Sequence, residues 1–170
     1  RDCSGLVYDG SPVEKMVGHD GVVANYAFCW YGENFRKYIF ETTAFYCEMQ
    51  PDCVWIDDDL RASNHYPVQF ACFCDDCMKK FNAKNNTQFT REALVKEITH
   101  GDIKWREKWT EFLREGLYDF TYKLCELIHK LSPNSRIGYQ YCAHGTYTGY
   151  AFDYIFKAMQ DATGYIPYSR

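Results

Sequence analysis

The sequence has 170 residues, of which 46% are hydrophobic and 25% charged, with a formal net charge of −4. That composition is globular and excludes disordered, fibrous and membrane-embedded chains. The acidic balance, with no Lys/Arg-dense run, also excludes nucleic acid and anionic membrane as main partners, because both demand a basic footprint.

No stretch approaches the roughly 20 apolar residues of a spanning helix. The start, Arg1-Asp2-Cys3, has neither an initiator Met nor a signal-peptide core, so the chain is expected to be an internal piece of a longer protein. The 15 Tyr, 12 Phe and 4 Trp could offer flat faces to sugars, and most are expected to fill the core instead.

Residues 1–33 are rich in Gly, Asp and isolated apolar residues and read as an irregular loop region with a short hairpin near Asp20-Gly21. From Asn34 to Gln50, the residues Phe35, Tyr38, Ile39, Thr42, Phe45, Tyr46 and Met49 recur at helical spacing, and Pro51 stops the helix. Cys53-Val54-Trp55-Ile56 is a short apolar run ending in Asp57-Asp58-Asp59, the pattern of a buried parallel strand whose carboxyl end emerges into a site. Arg61 to Phe70 reads as a loop containing Pro67, and Cys72 to Cys77 leads into a short helix ended by Asn85-Asn86.

Thr90 is placed to cap a helix reaching about Thr99, and Asp102 to cap a longer one from Trp105 to Leu131. Arg136 to Cys142 reads as a second buried strand. A Gly/Thr/Tyr loop, a helix near Phe152 to Met159 and a third strand beginning at Ile166 follow. The alternation predicts a single α/β domain over residues 1–170, with β/α units across 34–170 and parallel strands. Two or three strands cannot close an eight-stranded barrel of about 250 residues. The fold is therefore part of a (β/α)8, TIM-type barrel with a metal-bound loop, or a small open sheet.

Nine cysteines cannot all pair, and their clustered spacing favours metal or free thiols, hence a reducing, cytoplasmic compartment. Cys72-x-Cys74-x-x-Cys77 places three thiols at a loop-to-helix junction, where the helix N-terminus stabilises thiolates. Three soft ligands suggest zinc, and Cys29 is the loop cysteine nearest the preceding helix that could complete a tetrahedron. A redox CxxC from Cys74 and Cys77 fits poorly, since Asp75 and Asp76 disfavour thiolates. Cys47, Cys53, Cys125 and Cys142 read as buried thiols, and Cys3 is unassigned.

The order Cys29, a helix beginning Glu33-Asn34-Phe35-Arg36, the acid-tipped strand Trp55 to Asp59, then Cys72-x-Cys74-x-x-Cys77-x-x-x-Phe81 resembles family 42 glycoside hydrolases, the zinc-containing beta-galactosidases. The resemblance covers about residues 25–82. It implies a structural zinc on Cys29, Cys72, Cys74 and Cys77 and a carbohydrate substrate. It lays Asp58 on an Asn that contacts the sugar 2-hydroxyl and Asp59 on the acid/base Glu, and the sequence departs from the family at both. The family's nucleophile sits on the seventh strand, past the strand at which this chain ends. The isolated piece is thus expected to be inactive.

Glycoside hydrolysis needs one carboxylic acid to protonate the leaving oxygen and a second carboxylate as nucleophile or base, about 5 to 5.5 Å away in retaining enzymes. Strand ends converge on one mouth of a barrel, which places Asp57 to Asp59 to contribute one member of that pair; the resemblance implies Asp59 and Asp58 as the catalytic candidates, with Asp57 a substrate contact. Strand alternation sends Asp57 and Asp59 to one side and Asp58 to the other. The competing account is a divalent cation on the three acids. Arg61, Asn64 and His65 in the next loop, and Gln140, Tyr141 and His144 at the second strand end, are candidate sugar contacts. Trp30, Tyr147 and Tyr150 are candidate stacking platforms. The rival to an enzyme is a zinc-stabilised module that binds a carbohydrate or cation without catalysis; exposed strand edges would favour homo-oligomers.

Overall fold

A computed structural model describes residues 6–140 and 152–169. Their architecture is mixed α/β, with a parallel sheet and five helices. Two antiparallel hairpins open it, β1 (Val7–Tyr8) with β2 (Ser11–Pro12) and β3 (Lys15–Val17) with β4 (Val23–Phe28). Residues 6–33 are therefore more ordered than their composition suggests. The second hairpin turns where expected: Gly18 N–H donates to the Val22 carbonyl at 2.7 Å, and Gly21 takes φ +84°, a conformation open to glycine at little cost.

Helix α1 (Glu33–Cys47) follows, and Gly32 at its N-cap offers no side chain. Glu14 caps it from outside, its carboxylate accepting the N–H groups of Asn34 at 3.1 Å and Phe35 at 3.0 Å. Strand β5 (Cys53–Ile56) comes next, as its apolar run predicts. Trp55 is nevertheless 41% exposed, so the strand is not buried on both faces.

The expected loop after β5 folds instead into a hairpin of β6 (Ser63–His65) and β7 (Val68–Phe70), with Pro67 between the strands. Three-residue strands are too short to show alternation in a sequence. This hairpin is bonded to the earlier one through Asn25 N–H to the Tyr66 carbonyl at 3.3 Å and His19 N–H to the Phe70 carbonyl at 3.1 Å.

Helices α2 (Asp75–Asn85), α3 (Arg91–His100) and α4 (Ile103–Leu131) complete the crossover. Asn86 ends α2 in the left-handed region, Thr90 Oγ1 accepts Ala93 N–H at 3.2 Å, and Asp102 accepts Lys104 N–H at 3.0 Å. All three end signals were legible. Helix α4 buries Trp109, Phe112, Leu113, Leu117, Phe120, Leu124 and Ile128, a stripe at helical spacing. Against it pack α1, α3 and α5 (Phe152–Thr163).

The crossover returns to β8 (Arg136–Tyr139), which pairs in parallel with β5, Val54 opposite Ile137 and Trp55 opposite Gly138. β9 (Tyr168–Ser169) adds a third parallel strand, Gly138 opposite Tyr168. The turns before β5 and β8 are tied together. The Ser135 hydroxyl donates to the Pro51 carbonyl, the Ser132 and Ser135 hydroxyls lie 2.7 Å apart, and Gln50 Nε2 donates to the Leu131 carbonyl at 3.0 Å. No helix among the described residues is long and apolar enough to cross a membrane.

The Trp55 ring lies across Gly138, where an added Cβ would stand 2.5 Å from ring carbon Cζ3. Gly138→Ala is expected to cost about 1–3 kcal/mol through overpacking. Chemical denaturation would measure it, and Trp55→Leu in the same chain should recover part of the loss, since neighbouring substitutions couple. Equal losses with and without the tryptophan would show that the ring does not set the requirement for glycine.

Candidate functional site

Three segments bring the predicted cysteines together. Cys29 follows β4 and is fixed by its N–H to the Glu14 carbonyl at 2.8 Å; Cys72 follows β7; Cys74 is the N-cap of α2, and Cys77 lies in its first turn. All four are buried, and their sulfur atoms lie within 4.8 Å of one another. Cys29 Sγ is 3.4 Å from Cys77 Sγ and 3.6 Å from Cys74 Sγ. A tetrahedral ion with metal–sulfur bonds of about 2.3 Å would set sulfur–sulfur edges of roughly 3.8 Å. The cluster has the dimensions of a four-thiolate metal site.

Burial and hydrogen bonding among the thiols set their acidities apart. Thiol donation from Cys29, then from Cys72 and Cys77, with help from the Cys77 backbone N–H, holds the Cys74 thiol far below its ordinary range. Hydrogen bonding with Cys72 and Cys74 pushes Cys29 up, and burial does the same to Cys77. A divalent cation would replace the remaining protons and make all four thiolates compatible. Around the cluster, Phe73 stacks on Trp109 at 4.3 Å between centroids and Phe81 meets Trp109 edge-on at 5.1 Å, which keeps water out. Of the other expected thiols, Cys47 and Cys125 are buried and Cys53 is half-buried. Cys3 and Cys142 lie outside the described residues.

The acids lie at the end of β5, as expected, but not in the expected orientation. Strand geometry stops at Ile56, and Asp57 to Asp59 enter a turn in which Leu60 N–H donates to the Asp57 carbonyl at 3.3 Å and Asp59 N–H to Asp57 Oδ1 at 3.2 Å. The carboxylates therefore converge, with oxygens within 4.8 Å of one another, instead of alternating between two faces. Arg61 answers their mutual repulsion. Its Nη1 lies 2.9 Å from Asp59 Oδ1 and 3.5 Å from Asp58 Oδ2 and donates to the Asp58 carbonyl at 2.6 Å, while Nε donates to the Ser63 carbonyl at 3.0 Å and Nη2 to that of Asn64 at 3.3 Å. Arg61 is a clamp that orients the aspartates and holds the hairpin.

His65 is buried, with Nε2 3.0 Å from the Arg61 carbonyl, so it is not a solvated loop histidine. Gln140 continues the strand pairing, its N–H donating to the Ile56 carbonyl at 2.9 Å, which places it beside the acids. Tyr139, which the sequence reading passed over, donates its hydroxyl to the Leu60 carbonyl at 3.3 Å. His144, Tyr141, Tyr147 and Tyr150 lie outside the described residues. Trp30 is no exposed platform: it is fully buried, and its indole N–H has no hydrogen-bond partner.

A cavity of about 300 Å³ adjoins the acids, lined by Asp57, Asp59 and His65, by Tyr26 and Thr43, and otherwise by apolar groups including Phe28, Phe35 and Trp55. This volume lies at the lower end of small-molecule sites. Its acids are both at the β5 end, and among the described residues the lining supplies no carboxylate from another element.

Titration of metal-free protein with Co²⁺ is expected to give thiolate charge-transfer absorption saturating at one equivalent, and Cys74→Ser to abolish it. Absorption unchanged in the variant would exclude the cluster as the site. A second outcome concerns His65, whose imidazole burial holds below its ordinary value of 6.5, against a smaller opposing effect of the Arg61 carbonyl. The folded state favours the neutral ring, so its contribution is complete above about pH 6.5 and is lost as pH falls through the lower folded value. Denaturation between about pH 7.5 and 5 should show a decline that His65→Gln diminishes; an unchanged slope would remove His65 as its cause.

Compared with known proteins, the chain matches no family model and no curated protein at a significant level, so its chemistry rests on the residues described above.

Proposed function

We propose that this chain is part of a glycoside hydrolase of the (β/α)8-barrel type, in which a structural zinc on Cys29, Cys72, Cys74 and Cys77 fixes the loops beside an acidic strand end. The observation that carries this reading is the convergence of those four sulfurs, within 4.8 Å, immediately after the hairpin that follows Asp57 to Asp59. Zinc suits four soft ligands in a closed tetrahedral shell, which leaves no open position for substrate and makes its role architectural. Reduced thiols of this kind suit a reducing compartment such as the cytoplasm.

In this reading Asp59 protonates the glycosidic oxygen as the bond to the anomeric carbon breaks, and then takes a proton from the water that replaces the leaving group. Asp58 accepts from a sugar hydroxyl, Arg61 orients both aspartates, and Asp57, His65, Gln140 and His144 contact the sugar. The carboxylate that attacks or activates water comes from a strand contributed by a longer polypeptide, which also closes the three-stranded parallel sheet into a barrel. A second reading, a zinc-stabilised carbohydrate- or cation-binding module without catalysis, is favoured by one observation: the Asp59 carboxylate already engages Arg61 at 2.9 Å.

The two separate in an assay of the full-length, zinc-loaded protein against aryl glycosides with good and poor leaving groups. Under the enzyme reading the wild type turns over both, and Asp59→Asn loses at least about a hundredfold on the poor leaving group and much less on the good one. Absence of turnover in a folded, zinc-replete wild type, together with saturable oligosaccharide binding, would establish the module instead.

A further inference from the structure

A second concavity, of about 390 Å³, lies between the β7–α2 segment and the helix pair α3 and α4. It shares no lining residue with the cavity at Asp57 and Asp59. Four separate stretches of chain build it. The turn at His19 and the residues Phe70 to Phe73 form one wall, Val95 to Thr99 of α3 a second, and Arg106 to Leu113 of α4 a third. Its surface is largely aromatic and aliphatic, and none of its lining residues is acidic.

Two polar groups stand out against that surface. His19 packs its ring edge-on against Phe70, 5.2 Å between centroids, and its Nδ1 is shielded from solvent without a hydrogen-bond partner. Arg106 is held in place by its Nε, which donates to the Ile98 carbonyl at 3.0 Å and thereby fixes the orientation of the guanidinium. An apolar surface therefore coincides with a cation and an imidazole ring, and no carboxylate is among the lining residues.

We propose that this groove binds a planar aromatic carboxylate, its ring against Phe70, Phe73 and Trp109 and its carboxylate on Arg106 and His19. A sugar fits the groove poorly, because a pyranose presents polar groups around its rim and the walls offer few partners. A neutral aromatic would fill the volume and leave the cation unanswered. The site is independent of glycoside hydrolysis and would persist in the module reading.

The test uses 2-naphthoate, with 2-naphthalenemethanol as its uncharged counterpart, followed by titration calorimetry and tryptophan fluorescence. Saturable binding of naphthoate, tighter than that of the alcohol, is expected. Arg106→Gln should weaken naphthoate by about tenfold, the loss of one charge-assisted contact, and leave the alcohol unchanged. His19→Phe keeps the contact with Phe70 and should weaken naphthoate alone. Thr110→Trp, placed on the half-buried wall of α4, should exclude both ligands, and thermal melting would verify that each variant is folded. Asp59→Asn should leave naphthoate binding unaltered, which separates this site from the fate of the glycosidase reading. No saturable binding up to millimolar naphthoate, or equal affinity for acid and alcohol, would overturn the proposal, as would an Arg106→Gln effect of the same size on both ligands.

Discussion

Four thiol sulfurs lie within 4.8 Å of one another in a dry interior. Neutral thiols pack there as small apolar groups, but the position of Cys74 at the start of a helix and hydrogen bonding with the neighbouring thiols favour a negative charge in a buried place. That charge is tolerable when a cation accompanies it. The arrangement also ties together three segments of the chain, two of which backbone hydrogen bonds already join: the end of the β3–β4 hairpin, the exit of the β6–β7 hairpin and the first turn of α2. Each of these elements is too short to fold by itself. The cluster is where they acquire a common origin, and the stack of Phe73, Trp109 and Phe81 extends that origin into α4.

From there the geometry of the acidic turn follows. The β6–β7 hairpin is held at one end by the backbone of the β3–β4 hairpin and at the other by Arg61, whose guanidinium spans the carbonyls of Asp58, Ser63 and Asn64. The same guanidinium lies against Asp58 and Asp59. One side chain thus converts the position of a hairpin into the position of two carboxylates. Whatever the acids contact, their placement depends on Arg61 and, through the hairpin, on the cysteines.

Helices, caps and parallel strands were readable because they rest on local chemistry. Apolar spacing marked α1, α4 and α5, oxygen-bearing residues marked the starts of α3 and α4, and Asn85-Asn86 marked the end of α2. The cysteine set was readable because metal chemistry restricts both residue type and spacing. What escaped was non-local. The capping of α1 by Glu14, twenty residues away, leaves no mark in the helix sequence. The β6–β7 hairpin is too short for a periodic pattern, and its stability comes from another hairpin. The orientation of Asp57 to Asp59 depends on where strand pairing stops, which is fixed by β8 eighty residues later. Trp30 is a candidate platform by residue type alone; its burial is decided by packing from distant segments.

The knot of Gln50, Pro51, Ser132 and Ser135 has a consequence for how this chain can change length. It ties the entrance of β5 to the entrance of β8, so the two strands begin in step, Cys53 opposite Arg136. An extra residue inserted at the knot would slide one strand past the other and turn its side chains to the opposite face. The junctions between α2 and α3 and between α3 and α4 carry no such tie across the sheet. Divergent versions of this chain should accordingly vary in length at those helix junctions, while the spacing from the knot to each strand stays constant.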